Sequence, residues 1–176
     1  MLAKGMVLVL WTSYLDEVAA TALTTAFRKS GVRVKLVGLI PGGATGASGL
    51  TIVPDVALEQ AIAMANRAAV VVLPGTEGAV RRLDNDPRVR ELLSRAHANH
   101  AIFVTSAEAA RAVATLAGGQ ETPVTIEPYP ADQGMIEFAE RLAATLSSMP
   151  NRRSTRPAAS RALPAAVERQ ANCSIS

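Results

Sequence analysis

The chain has 176 residues, enough for one α/β domain with a sizeable core, and its hydrophobic content of 49% against 3% aromatic makes that core one of Val, Leu, Ile and Ala. One cysteine, Cys173, and two histidines, His97 and His100, exclude an intramolecular disulfide framework, a cysteine-cluster metal site and a His-rich metal centre, so no metal and no cofactor is expected. The net charge of +3 is unevenly placed: residues 151–176 carry five arginines against Glu168, a net +4, which leaves −1 for the rest.

Met6 to Leu10 is a fully apolar strand, and Asp16 to Lys29 follows as a helix with Val18, Ala22, Ala26 and Ala19, Leu23, Phe27 on its apolar face. Gly31 closes that helix, and Val32 to Val37 reads as the next strand. Pro41 to Gly49 is a Gly-rich loop without the Gly-Lys-Ser/Thr ending of a phosphate loop, which argues against nucleotide binding there. Leu50 to Val53 is extended, Pro54-Asp55 turns the chain, and Ala57 to Arg67 is helical. Strand Val70 to Leu73 runs into the Pro74-Gly75 turn. Asp86-Pro87 then opens a helix with Val89, Leu92, Leu93 and Ala96 buried. Strand Ala101 to Val104 leads into a helix from Ala107 to Leu116, closed by Gly118-Gly119. Val124 to Ile126 is a short strand, and Gly134 to Leu146 is a last amphipathic helix.

Strands that are nearly all apolar, alternating with helices, predict a doubly wound, flavodoxin-like α/β fold with a parallel sheet of about five strands covered on both faces. Residues 1–148 form this domain. Residues 149–176 are a basic tail rich in Ser, Pro, Ala and Arg, expected to be disordered and to serve as a solubilising extension. Weak binding of that tail to nucleic acid or an acidic partner is the alternative. The body has no basic surface with interleaved aromatics, so no specific nucleic-acid binding is expected. No segment approaches the roughly 20 apolar residues of a membrane span. The run Met6 to Trp11 is short and soon followed by Asp16 and Glu17, unlike a secretory leader, so a cytoplasmic protein is expected.

In a doubly wound sheet, ligands bind beyond the carboxyl ends of the strands. The candidate positions are Trp11 to Glu17, Gly75 to Gly78, Thr105 to Glu108 and Glu127 to Tyr129. The order of pieces resembles the ThiJ/PfpI family of the class I glutamine amidotransferase-like superfamily. The resemblance rests on Met6 to Leu10 with Ser30-Gly31-Val32-Arg33-Val34, on Leu50-Thr51-Ile52-Val53-Pro54-Asp55 with Leu58-Glu59, and on Val70 to Gly75 with Gly78-Ala79. Val89-Arg90-Glu91-Leu92-Leu93 and Ile102 to Ala107 complete it. It implies a cysteine nucleophile at a strained strand-to-helix elbow, a supporting acid after the first strand, and an oxyanion site of backbone amides. By position the oxyanion turn is Gly75-Thr76, the supporting acid is Asp16 or Glu17, and the elbow is Ser106 or Ala107; the cysteine is absent. The resemblance also implies a homodimer.

Ser106 is a possible nucleophile without a well-placed base. A helix cap is the better reading of Ser106 or Thr105, and Asp16, Glu17 and Glu108 taken singly read as helix-start acids. As a set, however, Asp16 or Glu17, Glu108 and Glu127 come from three segments that the fold directs to one crevice. Carboxylates gathered in a partly apolar pocket raise one another's pKa and become general acids and bases. Trp11 and Tyr14 are candidate walls of that pocket, and Gly75, Thr76 and Thr105 candidate ligand contacts. The favoured expectation is an enzyme, a lyase, hydrolase or isomerase, using carboxylate acid/base chemistry on a small polar or carbonyl-containing metabolite. The alternative is a non-catalytic descendant that binds a metabolite or a protein partner.

Overall fold

The computed structural model describes residues 5–46, 48–118, 122–131 and 134–148. The basic tail, Cys173 and Gly119 lie outside the described residues. The chain opens with β1 (Met6–Trp11), buried along its whole length. Helix α1 (Glu17–Lys29) starts at Asp16, whose carboxylate accepts the Ala19 amide at 2.9 Å. Its first turn holds Glu17 and its last turn Arg28 and Lys29, charges that suit the helix dipole. The buried face is Ala19, Ala20, Leu23, Ala26 and Phe27. Val18, expected on that face, is 63% exposed instead.

Next come β2 (Arg33–Gly38), β3 (Ala44–Thr45), β4 (Thr51–Ile52) and β5 (Val56–Ala57). Helix α2 (Leu58–Met64) ends in a 3₁₀ turn (Ala65–Arg67) before β6 (Ala68–Leu73). Then follow α3 (Glu77–Leu83), α4 (Pro87–Ala98), β7 (Ile102–Ser106), α5 (Ala110–Leu116), β8 (Ile126–Tyr129) and α6 (Met135–Ser148).

Six strands make the main sheet in the order β5-β2-β1-β6-β7-β8, every neighbouring pair parallel. The chain winds outward from β1 through β2 to β5, returns to β6 on the other side of β1, and winds the opposite way to β8. With right-handed crossovers this reversal puts the connecting helices on opposite faces. The helix contacts agree: α1 packs on α6, whereas α2 packs on α4 and α5 on α3 and α4. The core is built from Val, Leu and Ala with Trp11, Phe27 and Phe103 as its largest fully buried side chains. The switch point lies between β1 and β6, so their carboxyl ends, Trp11 and Leu73, flank the place where this class of sheet binds ligands.

Several local expectations are corrected. β3 and β4 form an antiparallel hairpin of their own, outside the main sheet. Helix α3 occupies residues with no expected element. The last strand falls on Ile126–Tyr129, two to three residues later than Val124 to Ile126. The helix after β7 begins at Ala110, because residues 107–109 turn first.

The short edge strand β5 is continued by a side chain. The Asp55 amide donates to the Leu36 carbonyl at 2.8 Å, and its carboxylate accepts the Leu36 amide at 2.8 Å and the Arg28 guanidinium at 2.6 Å. One carboxylate thus ties the end of α1 to β2 and to the turn before β5. Asp55→Ala is expected to destabilise the domain by about 1–2 kcal/mol, chiefly through the unpaired Leu36 amide, and urea unfolding measures it.

Candidate functional site

At the carboxyl end of β6 the chain turns through Pro74 and Gly75. Gly75 has φ 147°, a region closed to side-chain-bearing residues, and a Cβ there would come within 3.3 Å of the Ala79 side chain and 3.4 Å of Leu15. The Asp16 amide donates to the Pro74 carbonyl at 3.1 Å and so ties the start of α1 to this turn across the switch point. Thr76 caps α3, its hydroxyl accepting the Ala79 amide at 3.3 Å.

Both backbone polar groups of Gly75 are held by side chains from the next two strands. The Ser106 hydroxyl donates to the Gly75 carbonyl at 2.7 Å, and the Gly75 amide donates to the Tyr129 hydroxyl at 2.9 Å. Ser106 Oγ also accepts the Ala109 amide at 3.3 Å. Its proton is committed and its lone pair caps a turn. Among the described residues only His100 combines a side chain with positive φ, so neither Ser106 nor Ala107 sits at a left-handed, strained elbow. Thr105 is fully buried and donates to the Leu73 carbonyl at 2.8 Å, which fastens β7 to β6 and keeps it out of the cleft.

Beyond these strand ends lies a cleft of about 1000 Å³. Asp16, Gly75, Thr76, Ser106, Glu108, Glu127 and Tyr129 line it from the sheet side, and Met135, Glu137, Phe138 and Arg141 of α6 form the opposite wall. Arg141 lies over the Phe138 ring at 5.8 Å. Four carboxylates against one guanidinium make the cleft mouth acidic. Asp16, Glu108 and Glu127 are nonetheless exposed, so water solvates each of them. Burial pushes the Tyr129 phenol up to about 12; the Gly75 amide bond opposes this, and the Asp16 and Glu108 charges add to it. The free phenol value is 10.0, so the neutral phenol's contribution to stability is intact below that pH and is lost as pH rises toward about 12.

The structure brings Asp16, Glu108, Glu127, Ser106, Gly75 and Thr76 to this cleft and keeps Glu17, Trp11, Tyr14 and Thr105 out of it. Trp11 is buried, with its indole N–H donating to the Ala44 carbonyl at 3.2 Å: it packs the core and anchors β3. Tyr14 is half-buried with the Arg82 guanidinium 5.7 Å over its ring. Burial raises its phenol pKa, Arg82 opposes and Asp86 adds. Glu17, the first helical residue, points away from Asp16, the N-cap, whose backbone is still extended. It is 5% exposed and lies under the β3–β4 hairpin, where Oε1 accepts the Ser48 amide at 2.7 Å and the buried Oε2 has no partner among the described residues. The α6 wall is what sequence reasoning missed; Tyr129 lay within the expected segment Glu127 to Tyr129 but was given no role of its own. The signal for Tyr129 was its place at the end of the last strand in a chain with two tyrosines.

Among the described residues no group of three His, Cys, Asp or Glu side chains is arranged to hold a metal ion, and no helix is long and apolar enough to cross a membrane.

The fold and cleft define a doubly wound α/β protein with a ligand-sized, carboxylate-rimmed opening at its switch point. Residues 5–131 match the model of the DJ-1/PfpI family, and the chain belongs to that family. Among solved structures it is similar to DJ-1beta of Drosophila melanogaster, at 19% identity over 84% of this chain and 92% of that one, with a TM-score of 0.65. A cysteine-to-alanine mutant of a DJ-1 superfamily protein from Salmonella typhimurium gives 19% identity, 81% and 90% coverage and a TM-score of 0.63. Oxidized DJ-1 of Toxoplasma gondii gives 14%, 81%, 96% and 0.61. At such identities the likeness is one of fold. No curated protein matches the sequence.

The Glu17 carboxylate presses directly on the hairpin: a Cβ at Gly46 would lie 1.5 Å from Oε2. Gly46→Ala is therefore expected to displace hairpin or carboxylate at a cost of about 1–3 kcal/mol. Glu17→Gln keeps an oxygen for the Ser48 amide but puts buried N–H donors at the Oε2 position, where no acceptor is found among the described residues, so urea unfolding is expected to show a loss of about 1–3 kcal/mol.

Proposed function

We propose that this protein binds a small, polar, carbonyl-containing molecule without net negative charge in the cleft at the carboxyl ends of β6, β7 and β8. The open volume of about 1000 Å³ beyond these strand ends, bordered by Asp16 and Gly75 next to the switch point, carries this reading. The excess of Asp16, Glu108, Glu127 and Glu137 over Arg141 disfavours an anion. Thiol or serine acyl chemistry has little support here. The Ser106 proton is committed to Gly75, and neither His97 nor His100 lines the cleft. His97 itself is engaged with the Thr122 hydroxyl at 2.6 Å.

A second reading makes the protein an enzyme that moves protons with carboxylates: a lyase, hydrolase or isomerase. It is favoured by the placement of Glu108 just after β7 and Glu127 on β8, two acids from adjacent strands on one cleft. A thermal-shift screen of small metabolites, followed by turnover assays on the hits, separates the two. Under the binding reading Glu108→Gln and Glu127→Gln weaken affinity by a few-fold with no turnover in the wild type. Under the enzyme reading one of them lowers the rate by about 10²–10⁴-fold with little change in affinity. A screen without any hit that responds to these two variants would remove the cleft as the functional site.

A homodimer is proposed as well. The family resemblance supports it, and so do the exposed apolar side chains of Val18 (63%), Ile40 (50%), Leu50 (48%) and Val53 (73%) on neighbouring chain segments. Light scattering at micromolar concentration is expected to give twice the chain mass of 18.4 kDa. Val53→Asp should shift it to the monomer.

A further inference from the structure

The Tyr129 hydroxyl has one proton and two lone pairs. It accepts the Gly75 amide at 2.9 Å, and among the described residues no group accepts its own proton. The residue is 6% exposed and lines the cleft beside Gly75, Thr76 and Ser106. An amide that donates to a phenol oxygen polarises the O–H bond and makes it a better donor. The same bond removes the Gly75 amide from the set of donors a ligand could use. Where the resemblance implies an oxyanion site of backbone amides, this chain therefore offers hydroxyl protons in an acidic cleft: the exposed one of Thr76 and the buried, amide-polarised one of Tyr129.

We propose that Tyr129 is the ligand-orienting residue of the cleft: its hydroxyl, held by the Gly75 amide, donates to a neutral carbonyl oxygen of the ligand, while the carboxylates around it exclude carboxylates and other anions. The inference rests on the cleft being the ligand site, as above. It adds the chemical class selected there, an uncharged amide, aldehyde or ketone on a molecule that is neutral or cationic, and the residue that selects it. No bond is made or broken in this step. The phenol keeps its proton and shares it with the carbonyl.

Three probes test this with the full chain: glycinamide, a cation with a neutral carbonyl; n-propylamine, a cation without one; and acetate, an anion. Binding is followed by NMR titration. The chain has two tyrosines, so ring-carbon labelling of tyrosine gives one signal for Tyr14 and one for Tyr129. In the wild type glycinamide is expected to bind more tightly than n-propylamine, to shift the hydroxyl-bearing carbon of Tyr129, and to leave that of Tyr14 in place; acetate is not expected to bind. Tyr129→Phe is expected to lower glycinamide affinity roughly five- to tenfold, as for one hydrogen bond, and to leave n-propylamine unaffected. The Gly75 amide proton should exchange faster in the variant. A Tyr129→Phe protein that keeps the wild-type preference for glycinamide overturns the proposal while leaving the cleft reading intact. A Tyr129 ring signal indifferent to saturating glycinamide does the same without any variant, should the variant not fold. Absence of binding by both amines overturns the cleft reading and the proposal together.

Discussion

Gly75 is the point on which the site depends. Its φ of 147° aims the peptide groups on either side of it toward the neighbouring strands, and two side chains from those strands take them: Ser106 takes the carbonyl and Tyr129 the amide. Three consecutive strand ends, β6, β7 and β8, are thereby fixed to one another at the rim of the sheet, where ladder hydrogen bonds have run out. Asp16 joins the same turn from β1's side through the Pro74 carbonyl. A buried backbone amide or carbonyl left unpaired costs more than the pair gains, so each of these bonds is held by the penalty of breaking it.

That arrangement also limits the chemistry. A serine whose proton is given to a carbonyl and whose lone pair caps a turn is a structural hydroxyl, and an amide bonded to a phenol is no longer an open oxyanion donor. At the elbow position stands Ser106 instead of a cysteine, and its hydroxyl, like the Gly75 amide, is used for holding the fold. What stays open is the space beyond them, with a protonated phenol at its base and exposed carboxylates at its rim. That charge and donor pattern is what the proposal of a neutral carbonyl ligand rests on.

The fold was legible because buried parallel strands write themselves as unbroken apolar runs: Val7 to Leu10, Val70 to Leu73 and Phe103 to Val104 needed no partner to be recognised. The errors fell where the signal is local and short. Helix α3 has seven residues, too few to show periodicity, although Thr76 as cap and Glu77 behind it were visible. β8 reads Ile-Glu-Pro-Tyr; its proline suits an edge strand, where the missing amide faces no partner, but it makes the segment look like a loop. The β3–β4 hairpin is two residues a side, below any pattern. Its stability comes from what it covers, the Trp11 indole N–H and the Glu17 carboxylate.

Glu17 shows why the site itself was only partly legible. Sequence reasoning could place an acid at the start of α1 but could not choose between Asp16 and Glu17, because the choice is one of helical phase. Asp16 is the N-cap with extended backbone and Glu17 the first helical residue, so the two face different neighbours. Asp16 caps the helix and borders the cleft, whereas Glu17 is driven under the hairpin, with one oxygen on the Ser48 amide and the other against Gly46. Gly46 is required there by the carboxylate, not by backbone conformation, and the two residues are 29 positions apart in sequence. Tyr129 is the same case from the other end of the chain: its role comes from Gly75, 54 positions earlier. Residue type alone marks neither pair. Each becomes functional or structural only when the sheet order brings β1, β6 and β8 into register.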